Sequence, residues 1–346
     1  MKSFIKNNHT FVIAEAGSNW KVGTFEEDLE MAKKLIDTAK DSGADAVKFQ
    51  TYKSETVYVK NAGNSGYLDE NGINETINDI FDKLSMPYEM IPKLSDYCKK
   101  QDIMFMSTPF SVQDAEEIDP FVDIHKIASF EINHVRLLEY ISKTKKPVIV
   151  STGASTFTEC DFVIELFKKN GNNKIALLQC TSNYPAPISA LNLSVIPKIK
   201  NRYDVPVGFS DHSLDPITAP LVAIGFGANI IEKHFTMDKN LEGPDHSFAL
   251  NPEELKQMIK CIRAADLSKG AGEKEILKEE LELREFATRS IQAIKKIKKG
   301  EILKEGENIE VLRPGNKKRG IEPRFLESIV GKQANKDYEE GEGIEL

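Results

Sequence analysis

The sequence predicts an α/β protein: a (β/α)8 barrel followed by a small β-rich domain. Eight short apolar runs alternate with amphipathic helical patterns, and each run ends in polar side chains. Near Ser290 the composition shifts to short segments separated by Gly turns. With 346 residues and 38.8 kDa, the chain is long enough for a barrel and a second, smaller domain.

The first strand, helix and second strand form a parallel βαβ unit with a right-handed crossover. Residues 10–15 (TFVIAE) are apolar up to a carboxylate, residues 25–42 have apolar residues at helical spacing, and residues 46–50 follow Gly43. The remaining strands are predicted at 103–107, 122–127, 147–151, 174–179, 205–210 and 229–234. Further helices are predicted at 88–100, 136–144, 157–170, 193–201, 217–225, 252–265 and 274–288.

The segments outside this alternation define the predicted domains. Residues 51–86 are polar and too long for an ordinary βα loop, so we expect a lid or binding loop there. We assign residues 1–273 to the barrel, 274–289 to a charged helical linker and 290–346 to the small β-rich domain.

Composition narrows the class of function. A net charge of −8 argues against a general nucleic-acid surface, and the lysine cluster at 295–299 is typical of a solvated edge. Four scattered cysteines without a CxxC pair indicate reduced thiols rather than a zinc ribbon or disulfide framework. The first residues lack an apolar signal core, and no run approaches the ~18 apolar residues of a membrane span. We therefore expect a cytoplasmic protein without membrane or nucleic-acid partners.

Two histidines follow neighbouring predicted strands, and they are the first candidates for chemistry. Because residues i and i+2 of a strand face the same way, Ser210 shares a face with His212, and Glu232 shares a face with His234. Neutral imidazoles with nearby carboxylates suit a divalent transition metal or an acid–base site. The alternative is a pair of solvated histidines at strand ends.

Lys48 and Lys126 lie inside apolar runs, where the chain is expected to enter a core. A lysine is rarely buried without a partner, so these side chains either reach solvent or meet an anion in the barrel mouth. With nearby Ser and Thr hydroxyls they would suit a phosphate and a carboxylate. One of them could instead be a Schiff-base nucleophile, and spacing alone does not choose between these two chemistries.

Ten ordered motifs resemble the sialic acid synthase family, and the last of them lies in a segment that resembles its C-terminal antifreeze-like domain. The resemblance covers nearly the whole chain, and it is less specific for the sugar: KIASFE resembles pseudaminic acid synthases, whereas GPDH resembles the sialic and legionaminic types. The motifs are AEAGSN (14–19), VKFQ (47–50), STPF (107–110), KIASFE (126–131), STG (151–153), CTSNYP (180–185), GFSDH (208–212), EKHFT (232–236), GPD (243–245) and RPG (313–315).

This resemblance implies a transferase that condenses phosphoenolpyruvate with an N-acylated hexosamine and releases phosphate. N-acetylneuraminate made from N-acetylmannosamine is the first expectation. The alternative product is legionaminic or pseudaminic acid, made from a 2,4-diacetamido-trideoxyhexose. Two alternatives are more distant. One is a Schiff-base pyruvate aldolase, and the other is a sugar- or ice-binding protein whose C-terminal domain carries the function.

The resemblance also implies roles for individual residues. His212 and His234 would hold a divalent metal, Mn²⁺ first, with Mg²⁺ or Co²⁺ as alternatives, and Glu15 and Glu131 would handle the sugar and a proton. Arg313 would reach the N-acyl group from a partner subunit, which implies a domain-swapped homodimer. Phosphate and carboxylate would be held by Lys48, Lys126, Ser129, Ser151 and Ser182; sugar contacts would come from Gln50, Tyr184 and Asp245, with Thr108 and Ser210 completing the substrate-binding set.

One departure from the family pattern stands out. Many relatives have Asn-His where this chain has Asn19-Trp20. The role of that histidine is therefore lost here, or it is replaced by stacking of the indole against a substrate.

Overall fold

The computed structural model describes residues 8–64 and 75–345. The chain divides into two compact units, Met1–Gly270 and Ala271–Leu346. In the first unit, eight parallel strands form one sheet in the order β3-β2-β1-β8-β7-β6-β5-β4. The strands are β1 (Phe11–Gly17), β2 (Ala46–Thr51), β3 (Met104–Pro109), β4 (His125–Ile127), β5 (Val148–Ser151), β6 (Ile175–Cys180), β7 (Val207–Asp211) and β8 (Ile230–His234).

β1 and β8, the first and last of these strands in the chain, are hydrogen-bonded neighbours, and β3 and β4, at the two ends of the sheet order, also pack side by side. The predicted eight-stranded barrel is therefore confirmed. Helices of the first unit are α1 (Phe25–Ser42), α2 (Ser54–Val57), α3 (Ile77–Leu84), α4 (Met90–Gln101), α5 (Val112–Ile118), α6 (Val135–Thr144), α7 (Phe157–Lys169), α8 (Ile196–Tyr203), α9 (Thr218–Gly225) and α10 (Pro252–Ser268).

Local signals in the sequence account for the helix ends. The Thr24 side chain accepts a hydrogen bond from the backbone N–H of Glu27, and the Glu27 side chain bonds back to Thr24, so α1 begins with a capping box. It ends at Gly43, whose φ of 88° lies in the left-handed region that favours glycine. The prediction for residues 25–42 is confirmed at both ends.

Two helix predictions differ from the structure, and four short helices were not predicted: α2, α3, α5 and one in the second unit, Leu326–Ile329. The seven-residue α5 is too short for a clear periodic pattern, although Ser111 caps it by accepting from the Asp114 N–H. The helix predicted from residue 193 starts at Ile196, after a 3₁₀ turn at Leu193–Val195. The helix predicted over 274–288 is also shorter, and it is described with the second unit below.

Two apolar layers surround the strands. One fills the barrel interior with side chains such as Ile13, Met106 and Ile230. The other lies between the sheet and the helices and includes Leu35 and Phe167. Because side chains alternate along a strand, the same strands supply both layers. The sequence of each strand is therefore a continuous apolar run.

The polar excursion between β2 and α4 contains α2 and α3. An aromatic cluster anchors it: the Phe81 ring centroid lies 4.6 Å from that of Tyr52 and 4.9 Å from that of Tyr58. The Tyr52 ring also meets that of Phe110, with 5.2 Å between centroids. Residues 65–74 of the predicted lid lie outside the described residues, and its closure stays a prediction.

The second unit, described by itself, is small and β-rich, as predicted. In place of the helix predicted over 274–288 it has a 3₁₀ turn at Lys278–Glu280 and α11 (Leu281–Ala287), neither with a buried residue. β9 (Ser290–Ala293) and β10 (Ile309–Leu312) pair antiparallel, and α12 (Leu326–Ile329) follows. Its core includes Ile291, Ile309 and Tyr338. No helix in the described part of either unit is long and apolar enough to cross a membrane.

Candidate active site

The carboxyl ends of the barrel strands carry a polar layer directly above the apolar interior. Ile13 of β1 belongs to the apolar interior, and Glu15, two residues later, faces the same way. The same step leads from Ala46 to Lys48 on β2 and from Ile230 to Glu232 on β8. Parallel strands all present their carboxyl ends at one face, so these charges meet in the barrel mouth.

Lys48 is the centre of this polar layer. Its ammonium group lies 2.5 Å from Glu15 Oε2 and 3.8 Å from Glu232 Oε2, and it donates to the Thr108 hydroxyl at 3.0 Å. All three charged side chains are at most 6% exposed. Gln50 donates to the other oxygen of Glu15 at 2.9 Å. Lys48 is therefore buried, and its charged partners are the Glu15 and Glu232 carboxylates.

Lys126 approaches the same cluster from β4. Its ammonium group donates to the Ser151 hydroxyl at 2.7 Å and lies 3.6 Å from Glu232 Oε1. Glu232 also accepts from Ser210 at 3.0 Å. Glu232 thus lies between two lysines. No role was assigned to Glu232 in the sequence analysis, although strand alternation places it on the same face as His234, toward the lumen.

Burial and neighbouring charges set the protonation of this layer. Burial and the nearby Glu232 raise the pKa of Glu15 to about 7, against the opposing effect of Lys48. For Glu232, burial is outweighed by Lys126 and Lys48, which hold its pKa below the usual value. Burial lowers the pKa of Lys126, whereas Glu15 and Glu232 outweigh burial at Lys48 and raise its pKa. A carboxyl poised near neutrality beside a fixed carboxylate is suited to proton transfer.

Three side chains and one backbone N–H form a close-packed corner beside Lys126. Gly153 donates its N–H to the Ser129 hydroxyl at 2.9 Å. A Cβ at Gly153 would lie 2.3 Å from Ser182 Oγ and 3.0 Å from Cys180 Sγ, so a larger residue there would have to displace the Ser182 side chain. The Ser182 hydroxyl is buried and has no hydrogen-bond partner among the described residues. A buried hydroxyl with nothing to bind is what an incoming oxyanion would satisfy.

Glu131 follows β4 in a 3₁₀ turn, Ser129–Glu131, and is 8% exposed. Burial raises its pKa to about 7, although Lys126 acts in the opposite direction. Its Oε2 atom is buried without a hydrogen-bond partner among the described residues. This gives the site a second carboxyl that can exchange a proton near neutral pH.

His212 and His234 come together at the ends of β7 and β8, with 5.5 Å between ring centroids. His212 uses Nδ1 to bond the Thr181 carbonyl at 2.9 Å, which leaves Nε2 for a ligand. His234 Nδ1 is buried without a hydrogen-bond partner among the described residues, and burial, then His212 and Lys48, hold its pKa well below the usual value. A neutral imidazole with an unpaired nitrogen is suited to bind a metal ion.

The two imidazoles fit a divalent ion, whose remaining ligands would be water or substrate. In residues 8–64 and 75–345, no group of three or more His, Cys, Asp or Glu side chains has the geometry of a metal site. Asp245 is the nearest carboxylate that is ion-paired with either ring, with Oδ2 3.7 Å from His234 Nδ1. Burial raises the pKa of Asp245 to about 6.

Aromatic rings flank the two histidines. The Tyr184 ring centroid lies 4.2 Å from that of His212, and Phe248 lies 5.2 Å from His234 and 5.6 Å from Tyr184. Tyr184 was predicted to contact the sugar. Phe248 was missed, because an apolar residue in a loop carries no signal that distinguishes it from a core residue.

The remaining predictions fall outside this cluster. Trp20 is 1% exposed and packs in the apolar layer between sheet and helices, so stacking of its indole against a substrate is not supported. Arg313 is exposed and belongs to the second unit. Its contact with a partner subunit stays a prediction. All other predicted site residues lie at the carboxyl ends of the barrel strands or in the loops that follow them.

Fold and lumen together define a (β/α)8-barrel enzyme with an appended small β domain. The model of the NeuB family matches residues 35–274, and that of the SAF domain, which is antifreeze-like, matches residues 288–345. The chain belongs to the NeuB family.

Relatives and a solved structure agree with this assignment. The chain is 39% identical to N,N'-diacetyllegionaminic acid synthase of Campylobacter jejuni, over 97% of this chain and 98% of that protein. It is 37% identical to pseudaminic acid synthase of the same species, over 99% of this chain and 97% of that protein. The crystal structure of N-acetylneuraminic acid synthetase from Leptospira borgpetersenii, in complex with citrate, matches with a TM-score of 0.71 at 33% identity, over 81% of this chain and 92% of that one.

Proposed function

We propose that this protein is a nonulosonate synthase that condenses phosphoenolpyruvate with a 2,4-diacetamido-trideoxyhexose, giving legionaminic or pseudaminic acid and phosphate. The observation that carries the proposal is the buried cluster of Lys48, Lys126, Glu15 and Glu232 beside the imidazoles of His212 and His234 at the barrel mouth. Such a site offers cations for an anionic substrate and carboxyls for proton transfer.

The sugar in this proposal differs from the first expectation of the sequence analysis. N-acetylneuraminate was placed first there and is now the second candidate. Legionaminic and pseudaminic acid synthases match at 39% and 37% identity over almost the whole chain, and they support the alternative. The N-acetylneuraminate enzyme remains the competing candidate because its solved relative shares the fold at 33% identity.

A cavity of about 450 Å³, whose lining includes Pro244, the residue before Asp245 in the chain, also supports an acylated deoxy sugar. Its apolar lining residues include Ile80 and Leu84 from α3 and Leu241 and Pro244 from the loop that follows β8, and its charged ones are Lys21, Glu75, Lys83 and Glu242. Lys83 in the same lining is ion-paired with Glu75 at 2.6 Å. Burying a hydroxyl without a hydrogen-bond partner is unfavourable, whereas a methyl or acyl group gains from apolar contact. We take the apolar part of this lining as support for the methyl group of the proposed deoxy sugar.

The anionic substrate is assigned to the lysine side of the site. Lys126, Ser129, Ser151 and Ser182 would bind its phosphate, and the orphan hydroxyl of Ser182 would gain a partner. Lys48 would neutralise the substrate carboxylate while holding Glu15 in place. Point charges combined with short hydroxyl donors are a common way to bind phosphate.

The acceptor is assigned to the histidine side. Gln50, Tyr184 and Asp245 would contact its polar groups, while Thr108 and Ser210 hold Lys48 and Glu232 in position. A divalent metal at His212 and His234, Mn²⁺ first, would polarise the acceptor carbonyl when bound. Arg313 of a second subunit would reach the acyl group in a homodimer.

Proton transfer is assigned to Glu15 and Glu131, the two carboxyls whose pKa is raised to about 7. The new bond joins C3 of phosphoenolpyruvate to the acceptor carbonyl carbon, and a water oxygen bonds to C2. The bond between C2 and the phosphate oxygen then breaks, the C2 hydroxyl loses its proton to give the keto group, and phosphate leaves. Glu131, with a pKa of about 7, would take a proton from that water. Glu15 would orient the acceptor hydroxyl and return a proton to the new alkoxide.

Phosphate release with three acceptors tests the proposal. The acceptors are N-acetylmannosamine and the two 2,4-diacetamido-trideoxyhexoses that lead to legionaminic and pseudaminic acid, each with EDTA and with Mn²⁺. We expect metal-dependent release and a kcat/KM at least about tenfold higher for one diacetamido sugar, because one buried apolar group discriminates by about 10–200-fold. A preference for N-acetylmannosamine would reject the proposed sugar. Borohydride trapping of a lysine adduct would instead support the aldolase.

A cavity variant separates the sugar assignment from the reaction. Leu84→Asn places an amide in the apolar lining, and Ile188→Asn is the matched control because Ile188 is an exposed aliphatic residue outside that lining. We expect Leu84→Asn to lose most of the preference for the diacetamido sugar and Ile188→Asn to keep it. Equal behaviour of the two variants would remove the cavity from the argument.

A further inference from the structure

A buried ion pair lies on the outer side of the two strands that carry the histidines. Asp211 of β7 and Lys233 of β8 are direct neighbours in the sheet register, and their side chains are 0% and 1% exposed. Because side chains alternate along a strand, this pair points away from the lumen. The residue that follows each of them, His212 after Asp211 and His234 after Lys233, points into the lumen.

The Lys233 ammonium group organises the loop that follows β7. It donates to Asp211 Oδ2 at 2.7 Å, to the Ser213 carbonyl, and to the Asp215 carbonyl at 3.2 Å. The Ser213 hydroxyl lies 3.3 Å away. Asp211 also accepts from the Ser213 N–H at 2.8 Å. Residues 211–215 are thus wrapped around one buried cation.

His212 lies in the middle of this wrapped segment. Its ring faces the lumen and bonds the Thr181 carbonyl, and its own carbonyl accepts from the Ala186 N–H at 2.9 Å. On the far side of the loop, Asp215 accepts from the N–H groups of Ile217 and Thr218 at the start of α9. The backbone of His212 is therefore fixed from both sides.

Stability alone does not account for this pair. Removing two charges from water is costly, and an apolar pair of similar volume is often as stable as a buried ion pair. A buried pair does, however, specify one conformation when a segment has several acceptors to choose from. The segment specified here carries one of the two imidazoles.

We infer that Asp211 and Lys233 are positioning residues for metal binding: they hold residues 211–215 so that His212 meets a divalent ion together with His234. The inference rests on the metal assignment in the proposed function. Groups that orient metal ligands typically contribute 10–100-fold to metal affinity, and ligand distances tolerate only about 0.2 Å. A loop released from Lys233 would not keep His212 within that tolerance.

The test is Mn²⁺ binding by the full-length, metal-free protein, measured from the free-Mn²⁺ electron paramagnetic resonance signal. Lys233→Met removes the cation, and Asp211→Asn keeps the shape and the acceptor for Ser213. The matched control is Asp266→Asn, another buried ion-paired carboxylate, which binds Lys269 at 2.9 Å and the Thr10 N–H at the opposite end of the barrel. Thermal unfolding is recorded for every variant.

We expect the Mn²⁺ Kd to rise at least about tenfold in Lys233→Met and Asp211→Asn, and to stay within about twofold in Asp266→Asn even where the thermal midpoint falls equally. Should Lys233→Met not fold, Asp211→Asn alone decides the outcome. An unchanged Kd in a folded variant overturns the positioning role and leaves the proposed function standing. A wild-type protein that binds no Mn²⁺, Mg²⁺ or Co²⁺ overturns both.

Discussion

Glu131→Gln is expected to stabilise the protein at alkaline pH while it removes activity. The Glu131 carboxyl is 8% exposed, and burial raises its pKa from 4.5 to about 7. At about 1.4 kcal/mol per pKa unit, this rise makes the ionised form about 3 kcal/mol less favourable in the folded protein than in the unfolded chain. Glutamine cannot ionise, so the variant escapes that cost.

The sign of the effect follows from proton binding. Between pH 4.5 and about 7 the folded state binds more protons at Glu131 than the unfolded state, so the free energy of unfolding falls as pH rises through this window. Below pH 4.5 both states are protonated, and above about pH 7 the loss is complete. The stability of Glu131→Gln relative to wild type should therefore increase by about 2–3 kcal/mol between pH 5 and pH 8.

Thermal unfolding at pH 5 and pH 8 measures this change. At roughly 2 °C per kcal/mol for a domain of this size, the variant should gain about 5 °C over wild type on going from pH 5 to pH 8. Other groups titrate in this range, so Glu117→Gln, an exposed carboxyl on α5, is the control and should show no such gain. A pH-independent difference between Glu131→Gln and wild type would refute the reasoning. Turnover of the variant should fall by about 10²–10⁴-fold if Glu131 transfers a proton.

Three further outcomes are expected. Lys48→Met leaves Glu15 and Glu232 without their shared cation, so we expect the free energy of unfolding, measured by urea denaturation, to fall by about 3–5 kcal/mol. A loss under about 1 kcal/mol would mean that the two carboxyls relax into solvent. His234→Ala should weaken Mn²⁺ binding by more than the roughly 10–100-fold attributed to outer positioning groups, and chelator-resistant turnover in this variant would contradict the metal assignment. Arg313→Ala should raise KM for the acceptor about 10–100-fold, as loss of a charged hydrogen bond does, with KM for phosphoenolpyruvate unchanged; equal effects on both substrates would argue against contact with the acyl group.

The sequence predicted the barrel because its signals are local. An apolar run flanked by turns needs only its own residues to indicate a buried strand, and α1 carries both of its caps in its own sequence. Alternation then determined that Lys48 and Glu232 share the lumen face with the apolar residues two positions earlier. Prediction failed where local signal was weak: α5 is short, and the segment near residue 280 has charge without a buried face.

Tertiary structure alone decided how these residues are paired. Glu15 meets Lys48 because β1 and β2 are neighbours in register, but Glu232 lies between Lys48 and Lys126 only because the sheet closes on itself and points three strands at one lumen. Pairings across a lumen join residues that are far apart in the chain, and no local pattern encodes them. The same reason applies to the loops that bring Glu131 and Asp245 to the site.

The sequence by itself thus determined the fold class, the family resemblance and the residue types at the strand ends. The structure decided which of those residues lie beside one another, which share a cation and which have a polar atom without a partner, and these relations set the pKa of each group. They depend on distances of a few ångströms inside a medium from which water is excluded. Such distances are fixed only when all eight strands have closed around the same space.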